Sequence, residues 1–137
     1  MIGACAPIRP PAVAYLPTRE DPVCVITEVV DGDTVKLHCE SPPPISARLT
    51  GFDTPETHRP RCRAEARLGH EATRYLETRL RGARTILPKL HGTDKYRRAL
   101  VELTVDGAPL ADIMIDAGLA VRYDGGKRIN WCARLSR

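Results

Sequence analysis

The sequence contains no run of apolar residues close to the roughly 20 positions that a helix needs to cross a bilayer, which excludes an integral membrane protein. It has no Cys-x-x-Cys pair, and its four histidines show no zinc-ligand spacing, which argues against a structural zinc site. Its apolar fraction of 42% and charged fraction of 28% are ordinary for a globular protein and argue against a disordered chain or a coiled coil. The length of 137 residues fits one domain.

The N-terminal residues lack the basic cluster of a signal peptide, and Pro7, Pro10 and Pro11 interrupt their apolar stretch. Five of the twelve prolines fall in the first 22 residues. This predicts an extended proline-rich arm over residues 1–20, followed by the folded domain over residues 21–137. The five cysteines are more than most cytosolic proteins keep and hint at a secreted or periplasmic protein, so the two signals leave the compartment open.

Positive charge is concentrated in the middle of the chain. Residues 59–98 contain 12 Lys or Arg and 4 Asp or Glu, whereas the rest of the chain contains 9 basic and 13 acidic residues. A polyanionic partner would explain this distribution, and so would a solvated helix that is rich in arginine. Composition by itself favours the second explanation.

Residues 23–39 contain two β-rich runs separated by Asp31 and Gly32, a pair typical of a two-residue hairpin loop. With that loop, facing residues have numbers that add up to 63. Cys24 and Cys39 therefore face each other, and we expect them to be adjacent or joined by a disulfide bond.

The remaining elements are predicted from apolar spacing and turn residues. They are a strand over residues 45–52, a helix with an apolar stripe from Ala64 to Leu80 that ends at Gly82, a weak strand at 85–87 that Pro88 confines to an edge or an end, a strand at 99–105 and a helix over 110–117. About five short strands and two helices that do not alternate exclude a doubly wound sheet. They predict a small, largely antiparallel barrel.

Polar residues that could carry chemistry occur in four places, and most have a structural explanation when taken alone. Residues 31–34 are explained by a hairpin turn, residues 53–56 by a helix start and residues 94–98 by a solvated turn. Arg48 is harder to explain, because an arginine that points inward from an apolar strand needs an anion.

Taken together, the segments DGDTVKL, RLTGFDTPET, GTDKYRRAL and GLAVRY resemble, in this order, the staphylococcal nuclease family, also called thermonucleases. The resemblance extends from about Val23 to Tyr123. It implies an α+β fold, a five-stranded OB-type β-barrel with two flanking helices.

The resemblance also implies a calcium site and a general base. Asp33 and Asp53 would provide carboxylate ligands and Thr54 a backbone carbonyl, which suits a hard cation that binds several oxygen atoms. Glu56 takes the position of the general base that orients or deprotonates the attacking water.

Five further residues match the positions that bind the substrate in the family. Arg48 and Arg98 would grip the scissile phosphate, because a guanidinium matches phosphate geometry and the charge that develops there. Lys95 and Tyr96 match positions at the terminal phosphate of the nucleotide. Tyr123 would stack on the base, although it lies one position from the tyrosine of the family in an ungapped count.

The chain departs from a simple version of this pattern in two places. Arg97 stands where the family usually has glycine, and because neighbours on a strand face opposite sides, we expect Arg98 in the site and Arg97 in solvent. Arg48 and Asp53 are an odd number of residues apart, so on a regular strand their side chains would face opposite sides. A bulge at Gly51, or a strand end there, is needed to bring both side chains to one site.

Several bacterial relatives carry cysteines near the positions of Cys62 and Cys132, so the resemblance makes this pair a candidate bridge and leaves Cys5 free. It also implies a calcium-dependent nuclease that hydrolyses DNA and RNA, with single strands preferred and little sequence specificity, and leaves 3′-phosphates. A monomer with no membrane partner is expected. The alternative is a catalytically weak or inactive nucleic-acid-binding module, but such domains typically lack one or more of the carboxylates and arginines that are all present in this chain.

Overall fold

Short β-rich segments and three amphipathic segments build the fold. The computed structural model describes residues 14–16, 24–39 and 45–136. The strands are β1 (Ala14–Leu16), β2 (Cys24–Asp31), β3 (Thr34–Cys39), β4 (Ile45–Leu49), β5 (Gly51–Asp53), β6 (Ile86–Thr93), β7 (Ala99–Val105), β8 (Ala108–Pro109) and β9 (Val121–Tyr123). The helices are α1 (Arg63–Arg81), α2 (Leu110–Asp116) and α3 (Trp131–Leu135). Of the expected N-terminal arm, residues 14–16 are described and form β1, whereas Cys5 lies outside the described residues.

Seven strands form one mixed sheet in the order β1–β2–β3–β4–β7–β6, with β8 paired to β7. Its pairs are antiparallel except for β4 and β7, which are parallel. The strand expected over residues 45–52 is interrupted at Thr50. The chain then leaves this sheet through Gly51, whose φ is +100°, and β5 pairs with β9 instead. The described residues therefore form a mixed sheet with three helices, and the expected closed five-stranded barrel with two helices is not seen among them.

The first hairpin has the expected cysteine pair but a different turn. Asp31 pairs with Thr34, so the loop residues are Gly32 and Asp33. Two register shifts along the hairpin then change the sum of paired residue numbers from 65 to 64 and finally to 63, which makes Cys24 the partner of Cys39. The expectation that Asp31 and Gly32 form the loop was wrong, whereas the predicted pairing is confirmed. The two cysteine side chains lie outside what the structure describes, so their bond stays a prediction.

Helix α1 has the predicted apolar stripe and ends at the predicted residue, Gly82. The expected helix start at residues 53–56 was wrong, because the chain stays irregular until Cys62. The Cys62 Sγ accepts a hydrogen bond from the backbone N–H of Glu65 at 3.4 Å and so serves as the N-cap. This later start leaves a loop of residues 54–62 between β5 and α1.

The other predictions hold with small changes. Pro88 lies on the edge strand as expected, but that strand, β6, spans eight residues. Asp106 and Gly107 turn the chain after β7 with φ values of +49° and +85°. Helix α2 ends just before Gly118, whose φ of +77° favours glycine.

One apolar core lies between the sheet and the helices. Its fully buried members come from β2, β3, β4, β5, β7, α1 and α2, and include Ile26, Val35, Ala47, Phe52, Val101, Leu76 and Met114. A disulfide bond between Cys62 and Cys132 joins the start of α1 to α3. Among the described residues, no helix is both long and apolar enough to cross a membrane.

Candidate active site

A cleft of about 660 Å³ opens where the first hairpin, β4, the loop 54–62, the 94–98 turn and the C-terminal segment meet. Eight of the nine predicted site residues line it: Asp33, Arg48, Thr54, Glu56, Lys95, Tyr96, Arg98 and Tyr123. The ninth, Asp53, is fully buried behind the cleft wall. Arg97 is exposed and lies outside the lining.

The hairpin turn is held tightly against Thr54. A Cβ atom added to Gly32 would lie 2.7 to 2.8 Å from the Thr54 side chain, so only glycine fits this contact. The backbone N–H of Thr54 donates to Asp33 Oδ2 at 3.3 Å. This contact brings the carboxylate of Asp33 and the backbone of Thr54 to the same side of the cleft.

Arg48 connects the two predicted carboxylate ligands. Its Nη1 lies 3.1 Å from Asp33 Oδ2, and its Nη2 lies 3.5 Å from Asp53 Oδ1. The side chain is 12% exposed, so the anion that an inward arginine requires is supplied by these two carboxylates. As expected, the strand ends before Gly51. The break at Thr50 and the positive φ of Gly51 bring Arg48 and Asp53 together, although a regular strand would aim them to opposite sides.

Asp53 is surrounded by donors. The Trp131 Nε1–H donates to Asp53 Oδ2 at 3.0 Å, and the Arg128 Nε–H donates to Asp53 Oδ1 at 2.8 Å. Burial raises the pKa of Asp53, and although Trp131 and the two arginines oppose this, the pKa stays above its ordinary value. Both oxygens of Asp53 thus have partners within the protein.

Arg128 also contacts two neighbouring acceptors. Its Nη2 donates to the Thr54 carbonyl at 3.5 Å, and its Nη1 lies 3.7 Å from Glu56 Oε2. Burial by itself would lower the pKa of Arg128, but the charges of Asp53, Asp33 and Glu56 raise it by more. The pKa of Arg128 therefore lies above its ordinary value. No sequence motif predicted Arg128 or Trp131 as site residues. The segment from Asp124 to Cys132 carries no local pattern that indicates a site.

The loop that carries Glu56 is fixed by a buried carboxylate. Glu65 is 5% exposed and accepts the backbone N–H groups of Glu56 at 3.2 Å and of Arg61 at 2.8 Å. The side chain of Glu56 itself is 31% exposed toward the cleft, where water can reach it.

The 94–98 turn presents Arg98 and folds Arg97 away. Asp94 Oδ1 accepts the backbone N–H groups of Tyr96 and Arg98, and its Oδ2 accepts the Arg98 Nε–H at 2.8 Å. Desolvation raises the pKa of Asp94, but these hydrogen bonds and the charge of Arg98 together lower it below its ordinary value. Arg97 has a φ of +67°, which explains why glycine suits this position. Both arginines precede β7, so the turn, and not strand alternation, separates them. Lys95 extends over the Tyr96 ring, with its Nζ 5.2 Å from the centroid.

Two tyrosines offer aromatic surface along the cleft. Tyr96 is 66% exposed, and the guanidinium of Arg98 lies 5.6 Å from its ring centroid. Tyr123 is half-buried, lies 5.8 Å from the guanidinium of Arg48, and donates its hydroxyl proton to the Gly126 carbonyl at 2.6 Å.

The cleft contains the oxygen donors that a hard cation needs. Two carboxylate oxygens, from Asp31 and Glu56, and one ring nitrogen, from His58, lie within 4.8 Å of one another. Burial, with the nearby charge of Asp33, raises the pKa of Asp31 to about 7. The Thr54 Oγ1 is buried without a hydrogen-bond partner among the described residues. The cluster around Asp31 differs from the predicted ligands Asp33, Asp53 and Thr54. Both sets lie at the same cleft, and both contain the carboxylate oxygens that suit a divalent cation.

Comparison with known proteins gives one family. Residues 46–131 match the family model for staphylococcal nuclease homologues, a range that starts after the first hairpin and reaches Trp131. No curated protein sequence matches the chain. Since the matched residues make up more than half of the 137-residue sequence and carry most of the cleft, this chain belongs to the staphylococcal nuclease homologue family.

Proposed function

We propose that this protein is a calcium-dependent nuclease that hydrolyses phosphodiester bonds of DNA and RNA with little sequence specificity and leaves 3′-phosphates. The observation that carries this proposal is the convergence of Arg48, Arg98 and Glu56 with carboxylate and carbonyl oxygens on one cleft. The chain's membership in a family of nuclease homologues supports the same reaction.

Calcium would be held by Asp33, Asp53 and the Thr54 carbonyl, and when bound it would supply positive charge next to the scissile phosphate. Glu56 lines the cleft with a side chain that is 31% exposed, and in this proposal it accepts the proton from the attacking water molecule. Glu65 keeps Glu56 in place by accepting its backbone N–H.

Arg48 and Arg98 bind the phosphate and stabilise the charge that develops in the five-coordinate transition state. Each is already oriented by a carboxylate, Arg48 by Asp33 and Arg98 by Asp94. Such pairing fixes a long side chain before substrate arrives, which reduces the entropy lost on binding. The bond to the 5′ oxygen breaks, so the phosphate stays on the 3′ side.

Single-stranded nucleic acid fits the cleft best. Tyr96 and Tyr123 offer ring faces for unpaired bases, and stacking of this kind does not depend on the base. Lys95, Arg59 and the arginines of the cleft attract the phosphate backbone without reading sequence. The enzyme would act as a monomer. The disulfide bond between Cys62 and Cys132 supports export to an oxidising compartment.

The second candidate is a nucleic-acid-binding module without catalysis. The observation that favours it is that both oxygens of Asp53 already have protein partners, Arg128 and Trp131. This module would bind single-stranded DNA but would not cut it, with or without calcium.

Cleavage of single-stranded DNA with and without calcium distinguishes the two functions. Asp33→Ala should abolish calcium binding in calorimetry, and Glu56→Gln should lower turnover roughly 100-fold or more while DNA binding persists. Asp116→Asn, which removes an exposed carboxylate on α2, is the matched control and should behave as wild type. Wild-type calcium affinity with full activity in Asp33→Ala would refute the assignment. Binding without cleavage by the wild-type protein would establish the second candidate.

A further inference from the structure

Arg128 contacts the same oxygen atoms that the proposed function assigns to the divalent cation. Its guanidinium donates to Asp53 Oδ1 at 2.8 Å and to the Thr54 carbonyl at 3.5 Å. Two of the three proposed ligands, Asp53 and Thr54, are thus bonded to one arginine side chain.

Both oxygens of Asp53 accept hydrogen bonds from residues of the C-terminal segment. Its Oδ2 accepts the Trp131 indole N–H, and its side chain is 1% exposed. Oδ1 accepts the Arg128 Nε–H at 2.8 Å and lies 3.5 Å from Arg48 Nη2, so Arg128 makes the shorter of the two arginine contacts to this atom. A guanidinium stays protonated at any ordinary pH, so it cannot give up this contact by losing its charge.

The backbone just after Arg128 is anchored, and its side chain lies at the open cleft. Trp131 is 4% exposed and Cys132 is bonded to Cys62, so the segment just after Arg128 is fixed to the domain. The side chain of Arg128 is 44% exposed and lines the cleft. It can therefore turn toward the open cleft without a rearrangement of the fold.

We propose that Arg128 is an internal counter-cation that binds Asp53 and Thr54 in the metal-free protein, and that divalent cation binding requires its guanidinium to leave Asp53 Oδ1. This inference rests on the proposed calcium-dependent function. Without calcium, the charge of Arg128 balances the buried negative charge of Asp53. When calcium is present, Arg128 competes with it for this carboxylate and so lowers the calcium affinity. It is a positioning residue and not a catalytic one.

Calcium titration of Arg128 variants by calorimetry, at about pH 8 where carboxylates are ionised, tests the competition. Arg128→Gln removes the competing charge and should bind calcium at least about tenfold more tightly than wild type, because a charge-assisted hydrogen bond no longer has to be broken. Lys127→Gln, which removes a neighbouring exposed charge, should change the affinity by less than about twofold.

Arg128→Lys separates contact from charge. A lysine keeps the positive charge but cannot bridge Asp53, Thr54 and Glu56 with one planar group, so its calcium affinity should lie between those of wild type and Arg128→Gln. If Arg128→Lys binds calcium like wild type while Arg128→Gln binds more tightly, only the electric field of the arginine matters and the proposal is wrong. Equal affinity in wild type and Arg128→Gln also overturns it.

Thermal unfolding gives a readout that does not depend on activity. Without calcium, Arg128→Gln should melt below wild type because Asp53 loses a partner, and added calcium should raise its melting temperature by more than it raises that of wild type. Equal calcium-induced shifts would contradict the proposal. If wild type binds calcium and cleaves DNA but its affinity matches that of Arg128→Gln, the inference fails and the proposed function stands. If neither protein binds calcium and wild type shows no calcium-dependent cleavage, both fail.

Discussion

Helix α1 packs most closely against the backbone of the loop that carries Glu56 at Gly69. A Cβ atom on Gly69 would lie 2.9 Å from the Pro55 carbonyl oxygen, 2.9 Å from Thr57 Cγ2 and 3.1 Å from the Glu56 carbonyl oxygen, where ordinary contacts begin at 3.4 Å. Two of these atoms belong to the backbone and cannot rotate away. In Gly69→Ala the loop would therefore have to withdraw from α1 by up to about half an ångström.

Two opposing terms set the stability of Gly69→Ala. Alanine in a helix interior is favoured over glycine by roughly 0.5 to 1 kcal/mol. Overpacking a close contact costs roughly 1 to 3 kcal/mol. The contact term is larger because backbone atoms must move, so we expect the free energy of unfolding to fall by about 1 kcal/mol. Gly82→Ala is the control, since its φ is −89° and the nearest atom, the Thr78 carbonyl oxygen, lies at 3.4 Å.

The same displacement should lower activity. A shift of about 1 Å in a reacting group can cost about 100-fold in rate, so half of that shift at Glu56 should lower turnover about tenfold. Urea unfolding followed by the fluorescence of Trp131 measures stability, and initial rates on single-stranded DNA with calcium measure turnover. Gly82→Ala should keep wild-type activity and stability. If Gly69→Ala matches it in both, the loop is not held against α1 as described and the reasoning is wrong.

Three further predictions follow from the site and the disulfide bond. Arg98→Ala should lower turnover about 100-fold or more, whereas Arg97→Ala should mainly raise KM; steady-state rates on single-stranded DNA would show the reverse order if Arg97 were the phosphate ligand. The folded state keeps a proton on Asp31 that the unfolded state releases, so in EDTA the free energy of unfolding should fall as the pH rises from about 4 to about 7. Asp31→Asn should remove that part of the slope, and identical slopes in urea titrations at several pH values would contradict it. Replacing both Cys62 and Cys132 by serine should cost about 4 kcal/mol for a sequence separation of 70, and a loss below about 1 kcal/mol in urea unfolding would refute this.

The sequence predicted the helices and strands well where contacts between residues close in sequence determine them. The stripe of α1 and its stop at Gly82 depend on residues within a few turns of one another, and the structure has both. The hairpin turn instead forms at Gly32 and Asp33, because Gly32 must pack against Thr54, which lies far away in sequence. Two register shifts then restore the predicted cysteine pairing, and no local pattern indicates them.

In the candidate site too, the residues of local motifs could be predicted and the residues that come from distant parts of the sequence could not. Motifs placed eight of nine predicted residues on one cleft, because each motif builds its own turn or loop. Arg128 and Trp131 could not be predicted, since they reach Asp53 across 75 and 78 residues of sequence and come from a short helix and its preceding loop. Glu65 was missed for a related reason. It lies in the first turn of a helix, where a carboxylate is ordinary, and only the folded loop shows that it binds the backbone of Glu56.

The bond between Cys62 and Cys132 closes one covalent ring that contains α1, β6, β7, β8, α2 and β9, together with the 94–98 turn and the Gly125–Gly126 segment. A protease that cuts either exposed segment would open the ring without dividing the molecule. The two pieces would stay joined through sulfur and would separate on a gel only after reduction. Cleavage there would therefore damage Arg98 or the approach to Arg128 while the apparent mass of the unreduced protein stayed constant.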